Sequence, residues 1–131
     1  MIKVNELRVG NLVVYKQDND ELPVLKIDGD SKKIFIDLLL GLNMEVDEQD
    51  IDPIPLTSEL LERCGFNKGN KYGLRNFWDG PGDICLADID KENAYRLYGS
   101  EWTIGQNIKY LHHLQNLYYA LTGEELQIKN I

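Results

Sequence analysis

Two adjacent histidines, His112 and His113, are the only imidazoles in this 131-residue chain. Cys64 and Cys85 supply the only thiols. These are the donors a transition metal would use. Successive residues on a helix diverge by about 100°, so this pair does not grip one ion as an i, i+4 pair does. A metal would need Cys64, Cys85 or a carboxylate brought from elsewhere, and zinc-ligand spacing is absent. No metal and no cofactor are therefore expected, and the two imidazoles read as solvent-facing. Asp88, Asp90 and Glu92 alternate like the opening of a calcium loop. That loop needs a glycine at its sixth position and a glutamate at its twelfth, and neither is present. The acidic turns at 18–21 and 28–30 read as solvated.

Catalytic chemistry has less to stand on. No nucleophile elbow, phosphate-binding loop, dinucleotide glycine fingerprint or H-E-x-x-H occurs. The serine and threonine residues beyond the N-terminal third are Thr57, Ser58, Ser100, Thr103 and Thr122, and none has a histidine close in sequence. No catalytic residue is assigned, and the chain reads as non-enzymatic. The aromatics Tyr72, Phe77, Tyr95 and Tyr98 suit a core between sheet and helix. Trp78 and Trp102 each adjoin a glycine-containing turn, and either could anchor a partner from a rim.

These residues must be positioned by the elements around them. Residues 108–121 form an amphipathic pattern closed by Thr122 and Gly123, predicting a helix over about 107–122. Leu111, Leu114, Tyr118 and Leu121 fall on one stripe, widened by Ile108, Tyr110, Leu117 and Tyr119. Each leucine buried there contributes about 1.5–3 kcal/mol. Lys109, His112, His113, Asn116 and Ala120 collect on the opposite side. Gln115 interrupts the apolar side. It reads as a half-buried amide bonded to neighbouring backbone, or alternatively as a groove residue that reads a partner.

The first fifty-odd residues read as β, with strands at 12–15, 24–27, 34–40, 44–46 and 51–54 separated by turn signals. Short strands with tight turns suggest a small SH3-like barrel or bent sheet. Pro53 and Pro55 stiffen a hinge at 53–56. A short helix follows, with Thr57 as N-cap, Leu56 and Leu61 as a hydrophobic staple, and Gly65 and Phe66 as a Schellman stop. Further strands are expected at 71–77, 84–87, 95–98 and 102–104, and a last edge strand at 126–128. The expected organisation is a β lobe at 1–52, a hinge at 53–56, and an α+β lobe at 57–131.

Composition bounds the partners. The net charge is −8, with lysines and arginines scattered, so generic binding to a phosphate backbone is not expected. Apolar runs such as that at 38–40 are far too short to span a bilayer. The two cysteines read as reduced, buried thiols of a cytoplasmic protein.

Three stretches carry a resemblance: LRVGNLV at 7–13, PIPLTSELL at 53–61 with CGF at 64–66, and LHHLQNLYYALTGEEL at 111–126. The chain resembles a set of small uncharacterised proteins encoded by gut Bacteroidetes and by their phages and mobile elements. The resemblance covers both ends and the hinge. It implies a cytoplasmic setting, with a phage or prophage origin, and no activity.

The resulting expectation is an α+β, non-enzymatic protein-interaction module with an unknown protein partner. Its contact surface is expected on Lys109, His112, His113 and Asn116, with Trp78 or Trp102 nearby. An acidic mimic of DNA that blocks a nucleic-acid-binding protein is the alternative, and a small hydrolase or metal-dependent enzyme the third reading.

Overall fold

The computed structural model describes residues 2–38, 42–69, 77–89, 94–98 and 103–129. The fold is α+β, and the chain divides into two compact units. The first comprises Met1–Ile54 and Tyr110–Asn116; the second comprises Pro55–Lys109 and Leu117–Ile131. The division at Ile54 falls within the expected hinge. The assignment of Tyr110–Asn116 to the N-terminal unit was not expected.

The first unit is a five-stranded antiparallel sheet. Its strands are β1 (Leu12–Tyr15), β2 (Asp20–Asp28), β3 (Lys33–Asp37), β4 (Asn43–Val46) and β5 (Ile51–Asp52), in the order β4-β3-β2-β1-β5. Alternation builds its core. Val13, Leu22, Val24, Ile34, Ile36, Val46 and Ile51 are buried together with Ile2. Phe35, between Ile34 and Ile36, is turned to the other face, as the period of two requires. The register of β2 on β3 shifts between Val24 and Lys26, and this bulge leaves Leu25 exposed. A one-turn 3-10 helix, Glu48–Asp50, leads into β5. It is held by the amide of Gln49 donating to Asp47 Oδ1 at 2.8 Å and that of Asp47 donating to Asp50 Oδ2 at 2.9 Å.

In the second unit, α1 (Ser58–Arg63) has the expected ends. The Leu60 amide donates to Thr57 Oγ1 at 3.1 Å. Gly65, at φ 89°, lets the Gly65 amide reach Glu62 O at 3.1 Å and the Phe66 amide reach Leu61 O at 3.0 Å, a complete Schellman stop. Leu56 and Leu61 are both buried. The helix spans six residues, so its ends matter: Thr57→Ala is expected to lower stability by about 1 kcal/mol in urea denaturation.

A second antiparallel sheet follows in the order β10-β9-β8-β7-β6. It is built from β6 (Asn67–Gly69), β7 (Phe77–Asp79), β8 (Cys85–Ile89), β9 (Ala94–Tyr98) and β10 (Thr103–Ile108). The turn after β7 packs closely. The ring of Phe66 fills the space a Cβ on Gly80 would need. A Cβ on Gly82, itself at φ 66°, would stand 2.9 Å from Thr122 Cγ2.

The second helix, α2 (Leu111–Thr122), starts later than the hydropathy pattern suggested, because residues through Ile108 belong to β10, where Ile108 pairs with Tyr95. It ends as expected, with Gly123 at φ 74° donating its amide to Tyr119 O at 2.8 Å. Residues 126–128 form no strand. The tail is held instead at the end of α1, where the Lys129 amide donates to Arg63 O at 2.8 Å and Arg63 Nε donates to Lys129 O at 2.9 Å. Among the described residues, no helix is long and apolar enough to cross a membrane. Of the expected strand at 71–77, residues 71–76 lie outside the described residues, as does Trp102.

Candidate functional site

The buried arc of α2 is turned from the one hydropathy suggested. Leu111, Leu114 and Tyr118 are buried as expected, but Leu121 is 53% exposed, while His112 and Gln115 are only 1% and 3% exposed. Polar bonding explains the rotation. β5 pairs with β1 only at Val14 and Tyr15. Beyond that end, the Leu12 amide donates to Gln115 Oε1 at 2.9 Å, and Gln115 Nε2 donates to Gly10 O at 3.2 Å. The side chain of Gln115 thus serves as a short piece of missing strand, and the expectation of a backbone-bonded amide is met.

Asn116 continues this seam. Its Nδ2 donates to Glu6 O at 2.9 Å, and its Oδ1 accepts from the fully buried Asn11 at 2.8 Å. Asn116 therefore belongs to the internal packing of the first unit. It is not free to serve the contact surface expected for it.

The same seam places His112 and His113 against Glu6. Glu6 ends a one-turn 3-10 helix, Val4–Glu6. Its Oε2 accepts from the Lys3 amide at 3.2 Å. Its Oε1 lies 3.0 Å from His113 Nε2 and 3.6 Å from His112 Nε2. The imidazole centroids are 4.2 Å apart and tilted by 51°. Tyr110 stacks on the His112 ring at 6.0 Å. Neighbouring Cα atoms on a helix lie about 3.8 Å apart, so side chains as long as histidine converge at their tips although their Cβ bonds diverge. Divergence at the Cβ is therefore not divergence at the nitrogens.

His112 is interior, which corrects the expectation of two solvent-facing rings. His113 is half-buried. Neither ring nitrogen of His112 has a hydrogen-bond partner, since 3.6 Å to Glu6 exceeds hydrogen-bond reach. Burial, and then the neighbouring His113, pull the His112 pKa down to about 4; Glu6 offsets this only in part. At Glu6, burial alone would raise the pKa, but hydrogen bonds with His113 and the Lys3 amide, with the His112 ring close by, together hold it below its ordinary value.

The remaining expected contacts separate. Lys109 is exposed. Trp78 is 1% exposed with its Nε1 unpartnered, so it is no rim anchor: as the middle residue of β7 it pairs on both sides, with Lys68 and Leu86. Cys64 and Cys85 are not joined in a disulfide. Cys64 is buried, and burial pushes its thiol up to about 11, which suppresses thiolate chemistry there. Cys85 is only half-buried, against the expectation for both.

A second feature of the first unit is an open groove of mixed polar and apolar lining on the face away from the core. It is lined by Leu25, Lys26, Phe35 and Asn43. Leu25 is 47% exposed, and Leu42, next to Asn43, is 62% exposed. The Lys26 ammonium stands 5.5 Å from the Phe35 ring centroid. The alternation of β3 foreshadowed an outward Phe35, but the bulge at Leu25 had no signal in the sequence. Glu6 had none either, being 107 positions from His113. No protein-family model matches this chain, and no curated protein or solved structure matches it either.

Proposed function

We propose that the protein is a non-enzymatic protein-interaction module whose contact surface is the groove lined by Leu25 and Phe35, with the exposed Leu42 next to the lining residue Asn43, in place of the polar side of α2. The observation that carries this reading is the exposure of large apolar side chains beside one groove. Apolar patches with a polar rim mark association sites, and Lys26, Lys33 and Glu45 supply the rim: Lys33 Nζ pairs with Glu45 at 3.3 Å. An SH3-like arrangement of the first unit is supported by the order β4-β3-β2-β1-β5, by the 3-10 turn before β5, and by the bulge that bends β2. Two cysteines that are not joined in a disulfide favour a cytoplasmic setting, and the sequence resemblance favours a phage or prophage origin.

The test compares the wild-type chain with the double variant Leu25→Glu, Leu42→Glu as baits in cell extract. The variant is expected to keep the wild-type melting temperature, since both side chains are already in water. It is expected to lose the proteins that the wild type enriches. Retention of the same proteins by the folded variant would rule the groove out as the interface.

A further inference from the structure

The cluster of Glu6, His112 and His113 has the makings of a metal centre. Each of the three residues offers one ligand atom, and these atoms all lie within 4.8 Å of one another; Glu6 Oε1 stands 3.0 Å from His113 Nε2 and 3.6 Å from His112 Nε2. Donors that surround a zinc ion at about 2.0–2.1 Å are about 3.3 Å apart in a tetrahedral set. The carboxylate-to-imidazole distances of 3.0 and 3.6 Å bracket that value. Small rotations of two partly exposed side chains, Glu6 and His113, would complete the approach.

A second observation points to a ligand independently of this spacing. His112 is 1% exposed, yet neither ring nitrogen has a partner. Buried polar atoms are nearly always satisfied, and an exception calls for a missing water or ion. One Nε2 faces the Glu6 carboxylate, which is the direction from which a cation would satisfy it. The neighbouring His113 imidazole faces the same carboxylate, with its Nε2 3.0 Å from Glu6 Oε1.

We propose that Glu6, His112 and His113 bind one first-row divalent cation through Glu6 Oε1 and both Nε2 atoms, with its remaining positions open to water or an added ligand. Two imidazoles and one carboxylate suit zinc, cobalt, nickel or copper and are poorly matched to magnesium or calcium. Glu6 and His113 are each partly exposed, with side-chain exposures of 38% and 37%, so the site opens to solvent on their side. Tyr110, stacked on His112 and edge-on to His113 at 5.7 Å, restrains both rings. The site is separate from the Leu25 groove and stands or falls independently of the proposed function.

The test uses the full-length, untagged chain after treatment with a chelator. Zinc is titrated by calorimetry, cobalt by visible absorption, and magnesium serves as the control ion. One equivalent of zinc is expected to bind, and cobalt is expected to give ligand-field bands without a thiolate charge-transfer band. Glu6→Gln and His113→Ala should each weaken zinc binding by at least about 100-fold, because losing a direct ligand costs more than losing the outer-shell partner of one. Cys85→Ser should leave it unchanged. Circular dichroism checks the fold of each variant, and Glu6→Gln decides the matter if His113→Ala unfolds. Failure to take up zinc saturably would overturn the proposal and leave an ordered water as the partner of His112. So would undiminished affinity in folded Glu6→Gln, or loss of the site in Cys85→Ser.

Discussion

Gln115→Leu is expected to destabilise the protein by about 2–5 kcal/mol, although it places a better hydrophobic residue on a buried helix position. The side chain is 3% exposed, and hydropathy alone would predict a gain. The loss arises from what the amide leaves behind. Leucine strands the Leu12 amide and the Gly10 carbonyl, which Gln115 satisfies at 2.9 and 3.2 Å. A buried backbone group without a partner costs about 1–3 kcal/mol, and two are affected. Burying a side chain of similar size returns little, because that volume is already filled. Urea denaturation at neutral pH measures the difference. A variant as stable as the wild type would mean that water reaches Gly10 and Leu12 and that the amide is dispensable.

Acid is expected to weaken the metal-free protein through His112. The ring titrates near 6.5 when unfolded and near 4 when folded. Between those values the unfolded chain binds the extra proton, so the free energy of unfolding falls as the pH falls. The shift corresponds to a loss of about 3 kcal/mol, complete near the folded pKa. At pH values above the unfolded pKa this contribution no longer changes. Glu6 acts in the same direction at lower pH: its folded pKa lies below the ordinary 4.5, so the stability it lends is lost as the pH falls through that folded value. His112→Phe keeps an aromatic ring beside Tyr110 and removes the buried titration. Its unfolding free energy, measured by urea denaturation in the presence of a chelator, should be nearly flat where the wild type declines. Equal slopes in the two proteins would show that His112 is protonated in the folded state.

These two residues also show how far local pattern carries. The Thr57 cap and the Gly65–Phe66 stop were legible because each depends on atoms a few residues apart. The strands around Val13, Val24 and Ile34 were legible because a period of two places alternate residues on one face whatever lies beyond it. The start of α2 was misplaced because residues through Ile108 also suit a strand, and pairing with Tyr95 decided between the two. The tail at 126–128 was read as a strand from its composition, but its backbone partner is the end of α1.

What the sequence determined by itself was therefore the local grammar: two β regions, a capped short helix, a long helix ending at Gly123, and an amide at position 115 that had to find backbone. What only the tertiary structure decided was which way the long helix faces and what its polar residues meet. Hydropathy ranks His112 as a surface residue because it counts the cost of drying an imidazole and has no means of counting the distant residues that pack around the ring. Glu6, Gly10, Asn11 and Leu12 lie more than a hundred positions from the residues they meet. Contacts at that separation leave no periodicity in the chain. They arise when the N-terminal segment and the first turns of α2 pack together, and the burial of one unpartnered histidine beside a carboxylate is a consequence of that packing.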